Sequence, residues 1–458
     1  MEDFWTSALD FLYLSAFLIV GMILKNKIRF LQKYLIPTSI IAGFIGLILG
    51  QEVLKLIDLD PDRLGVLIYH LMAVGFIALA LKERRPVDGG NKRDNFNTGF
   101  AIVSSYLLQG IVGFAISLLL AYTVFPDLFP PFGLLLPLGF GQGPGQAFSI
   151  GSSWELLGLI EGGNIGISIA TIGFLWAIIF GIPLTNFLVR RKKRLGLVGK
   201  KTFISKSSAK YEEKHTENIP KKLSLDSLAV QLALIGFVYM LTYFLLKGIA
   251  LALAPLGTYG ETVTSLLWGF QFVIGTMIAI GVRVLLTVFR RKNWLHFNYP
   301  DNYILQRVSS TSFDYMIVAA ISAISIVTFR ANWIPILVIT TIGGIITIFY
   351  SLFLSRRIYS TYKVEHVVSL FGMLTGTITT GVALLKEVDP DFKSNAAENL
   401  VLGSAVALPL GLPLMFLLGF AVTGYTAGKP EFYFYTLGIF VLYMAILLAV
   451  MLWKRKKR

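Results

Sequence analysis

The sequence predicts an all-α polytopic membrane protein. Its plan is two inverted-topology repeats of about five transmembrane helices, each with a re-entrant hairpin, plus an extra C-terminal helix. Three observations carry this reading. The 458 residues are 55% hydrophobic and only 15% charged, whereas soluble domains carry roughly a quarter charged residues. The charges cluster in short patches between long apolar runs. Two glycine-rich stretches interrupt those runs at corresponding places in the two halves.

About 20 apolar residues cross a bilayer as a helix. On that ruler the first half holds spans near 8–24, 34–50, 64–81, 98–124 and 164–189. The second half holds spans near 226–247, 261–289, 310–329, 331–354 and 396–424, and an eleventh lies near 432–453. The basic patches "KNKIRFLQK" (25–33), "KERR" (82–85), "RRKKR" (190–194), "RRK" (290–292), "SRR" (355–357) and "KRKKR" (454–458) each abut a span. Lysine and arginine accumulate on the cytoplasmic side of a membrane. These patches therefore set the N-terminus outside and the C-terminus in the cytoplasm, in a multi-pass protein of the cell inner membrane. The acidic start "MEDFWTSALDFLYLSAFLIV" has no basic leader and reads as a retained first span.

Behind the net charge of +15 stand basic patches set against hydrophobic spans, and no aromatic RNA platform accompanies them. A nucleic-acid partner is not expected. The chain has no cysteine and its four histidines lack metal-ligand spacing. No convergent nucleophile, base or metal cluster indicates an enzyme, and no charged ring or filter-like repeat indicates a channel.

The polar stretch 195–224 reads as a cytoplasmic linker. It separates an N-terminal repeat (1–194) from a C-terminal one (225–424), with the extra span and basic tail at 425–458. A shift of 231 residues places Gly141 on Gly372, Gly145 on Gly376 and Asn164 on Asn395, with "GIPL" (181–184) near "GLPL" (411–414). Two halves of five spans each must insert with opposite orientation. That is the inverted-repeat plan of secondary transporters.

Within the halves, residues 129–160 and 365–387 are apolar enough for membrane depth but too broken to cross cleanly. A hairpin that dips in and returns keeps the charge topology. Irregular backbone at that depth is tolerated only where protein or a water-filled cavity surrounds it. The first stretch offers Gly141, Gln142, Gly143, Gly145, Gln146 and Ser149; the second offers Thr375, Gly376, Thr377, Thr379 and Thr380. Helix N-termini there would bind carboxylates through N–H groups. Carbonyls and the hydroxyls of Thr379 and Thr380 would coordinate sodium, together with Asn395. Asn164 and Asn395 stand at apparent helix starts, able to cap the helix or to face a ligand. Asp314 is an acid inside an apparent span, either facing a cavity, where it would be a further sodium ligand, or lying at a membrane edge. Arg283 reads as a snorkelling side chain. A dinucleotide loop is excluded by Pro144 and the want of a preceding strand; a Walker loop lacks its lysine.

Two inverted five-span halves, a central loop, and the stretches "GFGQGPGQA" and "GMLTGTITTG" resemble the glutamate:sodium symporter family, which is related in fold to the 2-hydroxycarboxylate transporters. The resemblance covers about residues 5–424. It implies an elevator-type secondary transporter, a likeness to homodimers, and symport of glutamate or a similar small organic anion with sodium. A proton- or sodium-coupled 2-hydroxycarboxylate or dicarboxylate transporter is the alternative. No cofactor is implied beyond the sodium ion; the partners are the small anionic substrate and the lipid bilayer.

The topology is directly testable, because single cysteines at Ser207 and Lys457 would be unique reporters. Both should resist an impermeant thiol reagent added outside intact cells and react after permeabilisation. Labelling of either from outside would reverse the orientation.

Overall fold

Glycine, proline and capping residues divide the apolar sequence into its elements, and every described element is helical. The computed structural model describes residues 2–33, 36–82, 92–191, 225–292, 300–389 and 394–456. The 195–224 linker and Lys457 lie outside them. The first half runs α1 (Glu2–Lys27), α2 (Thr38–Leu49), α3 (Pro61–Leu81) and α4 (Lys92–Thr123). A tight helical segment, Pro130–Gln142, then leads into α5 (Pro144–Ser153) and α6 (Gly162–Arg191). The second half runs α7 (Leu225–Leu253), α8 (Thr258–Gly269), α9 (Gln271–Arg291), α10 (Asn302–Ser322) and α11 (Ile326–Ile358). It continues with α12 (Lys363–Thr375), α13 (Ile378–Lys386), α14 (Ala396–Thr426) and α15 (Glu431–Lys456).

Local chemistry sets several boundaries. Asp60 caps α3 by accepting from Asp62 N, with Pro61 following as the first helical residue. Asp301 caps α10 through Tyr303 N and Ile304 N, and the Ser325 hydroxyl caps α11 through Thr328 N. Arg283 Nη1 donates to the Ala80 and Lys82 carbonyls at 2.9 and 3.1 Å, satisfying the C-terminal end of α3.

Among the described residues, 9 helices are long and apolar enough to cross a membrane, not the eleven expected. The 34–50 span is the 12-residue α2, only about 18 Å long at 1.5 Å per residue. The 310–329 span is α10, which starts earlier and ends at Ser322. It falls outside the nine because it carries Gln306, Arg307, four Ser/Thr residues from 309 to 312, and Asp314. The 261–289 span is broken at Phe270 into α8 and α9.

The element order repeats. The starts of α11, α13 and α14 (326, 378, 396) follow those of α4, α5 and α6 (92, 144, 162) by the same 234 residues. On the helix starts Asn164 would fall on Glu398, whereas the glycine-based shift of 231 places it on Asn395. Glycine recurs at alternate positions in 139–145, so glycine matches cannot fix the register.

The helices pack into two groups, each drawing on both halves. In one, α10 packs on α3 and α2, α9 on α3 and α7, and α1 on α2. In the other, α4 is surrounded by α11, α14 and α15, while α6 packs on α5 and α12. A satellite core of Ile77, Leu81, Ile235 and Leu305 lies wholly in the first group; Ala101, Leu354 and Met451 form one in the second. The two groups meet mainly through α5, which touches α3, α8 and α10. The extra helix, α15, buttresses α4: Phe440 lies against Gly110, and the Tyr443 hydroxyl donates to the Leu410 carbonyl of α14 at 2.5 Å.

Lipid tails give apolar helices no hydrophobic reason to associate, so small residues that admit close backbone contact matter more. A Cβ on Gly133 would stand 1.8 Å from the Gly113 carbonyl, and one on Gly151 would stand 2.1 Å from the Gly162 carbonyl. Gly133→Ala should therefore lower stability by about 3 kcal/mol, the upper range for overpacking. Gly236, with nothing within 4 Å of its Cβ position, should accept alanine without loss. Thermal unfolding of both variants in detergent checks the contrast.

Candidate functional site

Both glycine-rich stretches break where the sequence places them. In the first, Gly143 has φ +104° and ψ 172°, a region that essentially only glycine occupies. Its N–H reaches the Leu138 carbonyl at 2.8 Å, closing a wide π-type turn. Pro144 then opens α5, where its missing N–H costs nothing. In the second, Gly376 (φ −148°, ψ −108°) and the extended Thr377 separate α12 from α13. Neither stretch forms a straight helix.

The two hairpins enter from opposite ends of α4. The segment 130–142 runs back along the C-terminal half of α4, with Gly133 at Gly113 and Ser117, Pro137 at Gly110, and Gly141 at Tyr106. The other hairpin begins near the N-terminal end. There the His366 ring stacks on Tyr359, and the Tyr359 and Thr98 hydroxyls lie 2.6 Å apart. The last turn of α12 then reaches Gln109, in the middle of α4.

Gln109 joins the two breaks. It is 2% exposed. Its Nε2 donates to the Leu374 carbonyl and to Thr347 Oγ1, both at 2.9 Å. Its Oε1 is buried without a protein partner and faces Gly141, whose Cβ position is 3.3 Å away. Beside it the Tyr106 hydroxyl donates to the Gly141 carbonyl at 2.9 Å. On α6, Gly173 lies between the Thr375 carbonyl and Phe140, at 2.5 and 2.9 Å from its Cβ position. The tips themselves carry no ionisable side chain. Each presents a helix C-terminal end, rich in carbonyls, and a helix N-terminal end, rich in N–H groups. Gln142 Nε2 and Gln146 Oε1 are buried there without partners.

The remaining expected residues divide. Gly145 faces Met316 of α10, and the Ser149 hydroxyl donates to the Gly269 carbonyl at 3.1 Å, so both stand at the junction of the two groups. The Thr375 hydroxyl is used within its own helix, donating to the Phe371 carbonyl at 2.8 Å. The Thr377 and Thr380 hydroxyls lie 3.3 Å apart, and Thr380 lines a crevice with Ile36, Ile40 and Phe174; Thr379 is exposed.

The asparagines are not at the tips. Asn164 lies near the base of α5, where neighbouring Gly163 meets Ser152 and Phe148. Nine residues of helix, about 14 Å, separate it from Gly173. Its Nδ2 donates to Glu161 Oε2 at 2.5 Å, while its Oδ1 has no partner. Nearby, burial pushes the Glu155 carboxyl above its usual range while its Oε1 accepts from Gly163 N at 2.9 Å. Asn395 occupies the cap position of α14, but its side chain makes no capping bond. One turn on, Asn399 Nδ2 pairs with His366 Nε2 at 2.9 Å, at the base of the second hairpin. Asp314 lies beside Ser39 and Lys25 in the first group. Among the described residues no cluster of three or more His, Cys, Asp or Glu residues could hold a metal ion.

Sequence reasoning missed Gln109 and Tyr106. Each is one polar residue inside an apolar span, and α4 has several. No local pattern sets either apart, because their place opposite the two breaks comes from the tertiary packing.

A family model described as sodium/glutamate symporter matches residues 7–392. A curated sodium/glutamate symporter of Haemophilus influenzae is 28% identical over 190 residues, which is 39% of this chain and 44% of that protein. This chain thus spans less than half the length of that relative in the match.

Because no atom lies within 4 Å of a Cβ on Gly143, Gly143→Ala tests backbone conformation alone. It should cost about 1–3 kcal/mol through strain, read as a lowered melting temperature in detergent.

Proposed function

Since the chain belongs to the sodium/glutamate symporter family, we propose that it is a secondary transporter that carries glutamate inward with sodium. The observation that supports this best, beside the family, is the convergence of two oppositely entering broken hairpins on Gln109, at mid-length of α4. Nothing in the comparisons favours 2-hydroxycarboxylates.

In this reading the hairpins are re-entrant loops of an inverted repeat, and the symporter lies in the inner membrane with its N-terminus outside. The N-terminal ends of α5 and α13 hold the substrate carboxylates through backbone N–H groups. Gln142 and Gln146, with their unpartnered amide atoms, orient the substrate. Thr377 and Thr380 line the approach. Such groups select by geometry and leave the fixed charge to substrate and cation, so binding of one favours the other. The α4-centred group is the moving body and the α10-centred group the scaffold, which a second copy extends into a homodimer. The α5 junction suits sliding: its contacts include Gly145 on Met316, Phe148 on Gly65, Ser153 on Gly269 and a hydroxyl–carbonyl bond from Ser149.

Proteoliposomes with an imposed sodium gradient test the function. Wild-type protein should accumulate glutamate, and collapse of the gradient should stop it. Gly376→Val should abolish uptake while the protein still elutes as a single folded species, because a branched side chain there meets Thr380 and Phe174. Normal sodium-driven uptake by this variant would remove the second tip from the site.

A further inference from the structure

We propose that Gln109 Oε1 is a direct ligand of the coupling cation, with the carbonyl ends of the two broken segments supplying further oxygens. The proposal rests on the sodium-coupled reading above.

The orientation of the amide follows from its partners. The Leu374 carbonyl can only accept a hydrogen bond. The Thr347 hydroxyl already gives its proton to the Gly343 carbonyl, at 2.7 Å. The group facing both must therefore be the NH2, at 2.9 Å from each. That leaves Oε1 aimed toward Gly141 as a fixed acceptor. The residue is 2% exposed and Oε1 has no protein partner. A buried acceptor left bare is unfavourable, and burial in a membrane bundle intensifies the effect.

The surroundings select a cation. Gly141 and Leu374 belong to the C-terminal ends of their helical arms, where carbonyls carry the negative end of the helix dipole. Each carbonyl accepts one hydrogen bond, from Tyr106 and Gln109 respectively, and keeps a second lone pair. Hard monovalent and divalent cations take such neutral oxygens. Gly141 packs directly on the Tyr106 ring: a Cβ there would stand 2.2 Å from the ring and 3.3 Å from Gln109 Oε1, so the backbone of the first break is held against both side chains. Because Gln109 bonds the second hairpin through one end and faces the first through the other, an ion at Oε1 would tie both tips to α4.

The test compares wild type, Gln109→Ala and Gln109→Glu in proteoliposomes, with sodium and glutamate varied separately. Sodium-induced thermal stabilisation without glutamate is the second readout. Gln109→Ala should raise the sodium concentration for half-maximal uptake by about tenfold, the loss expected for one oxygen contact. Its glutamate KM at saturating sodium should stay near wild type, and its thermal response to sodium should shrink. Gln109→Glu keeps an oxygen there but loses the two donated hydrogen bonds, so it should melt lower without sodium yet keep a thermal response to it. If Gln109→Ala only lowers the melting temperature and keeps both sodium readouts, Gln109 is a brace and the assignment falls. A shift in glutamate KM with sodium dependence unchanged would give Oε1 to the substrate ammonium and also overturn it. A wild-type protein indifferent to sodium would instead sink the sodium-coupled reading itself.

Discussion

Backbone polar groups in lipid have no water to fall back on, and the rest of this structure follows from that constraint. Two helices are broken at mid-length of α4, each exposing carbonyls on one side of the break and N–H groups on the other. Such ends persist only if protein surrounds them. The glycine contacts provide the enclosure: Gly113 against Gly133, Gly151 against Gly162, and Gly173 against Thr375 bring backbones close enough to exclude lipid. Gln109 and Tyr106 then satisfy two of the freed carbonyls directly.

The same arrangement couples structure to chemistry. Glycine is needed for close packing and for the turn at Gly143, so the breaks carry few side chains of their own. In the proposed function, recognition falls to the backbone and to amide side chains, those of Gln142 and Gln146 at the first break and of Gln109 on α4. Neutral groups of fixed direction then bind two ligands of opposite charge without a buried ionic residue, which hydrocarbon surroundings would penalise.

The two packing groups give the site a boundary. Each takes helices from both halves of the chain, so the halves are not separate bodies. The hairpin arm α5 belongs to the group containing the tips and also forms most of the junction with the other group. Ser149, Gly145 and Phe148 all stand at that junction. Small, weakly bonded contacts there contrast with the interlocked glycines inside the α4 group. The polar face of α10, with Gln306, Ser310 and Asp314, is exposed on the opposite side of that junction.

The sequence by itself determined the class of protein, the positions of both breaks and most long helices. Composition and span length depend only on local hydrophobicity, and Gly143 and Pro144 break a helix wherever they stand. It also suggested the repeat at a shift of 231 residues, while glycines at alternate positions match at several offsets. Only the tertiary structure decided which polar residues belong together. Asn164 and Asn395 open their helices as expected, yet helix length carries them away from the tips to the hairpin bases. Gln109 sits within an apolar span with no local pattern to mark it. Its position opposite both breaks comes from the antiparallel course of 130–142 along α4 and the opposite entry of α12. The second of those contacts joins residues 265 positions apart, a separation that no local periodicity encodes.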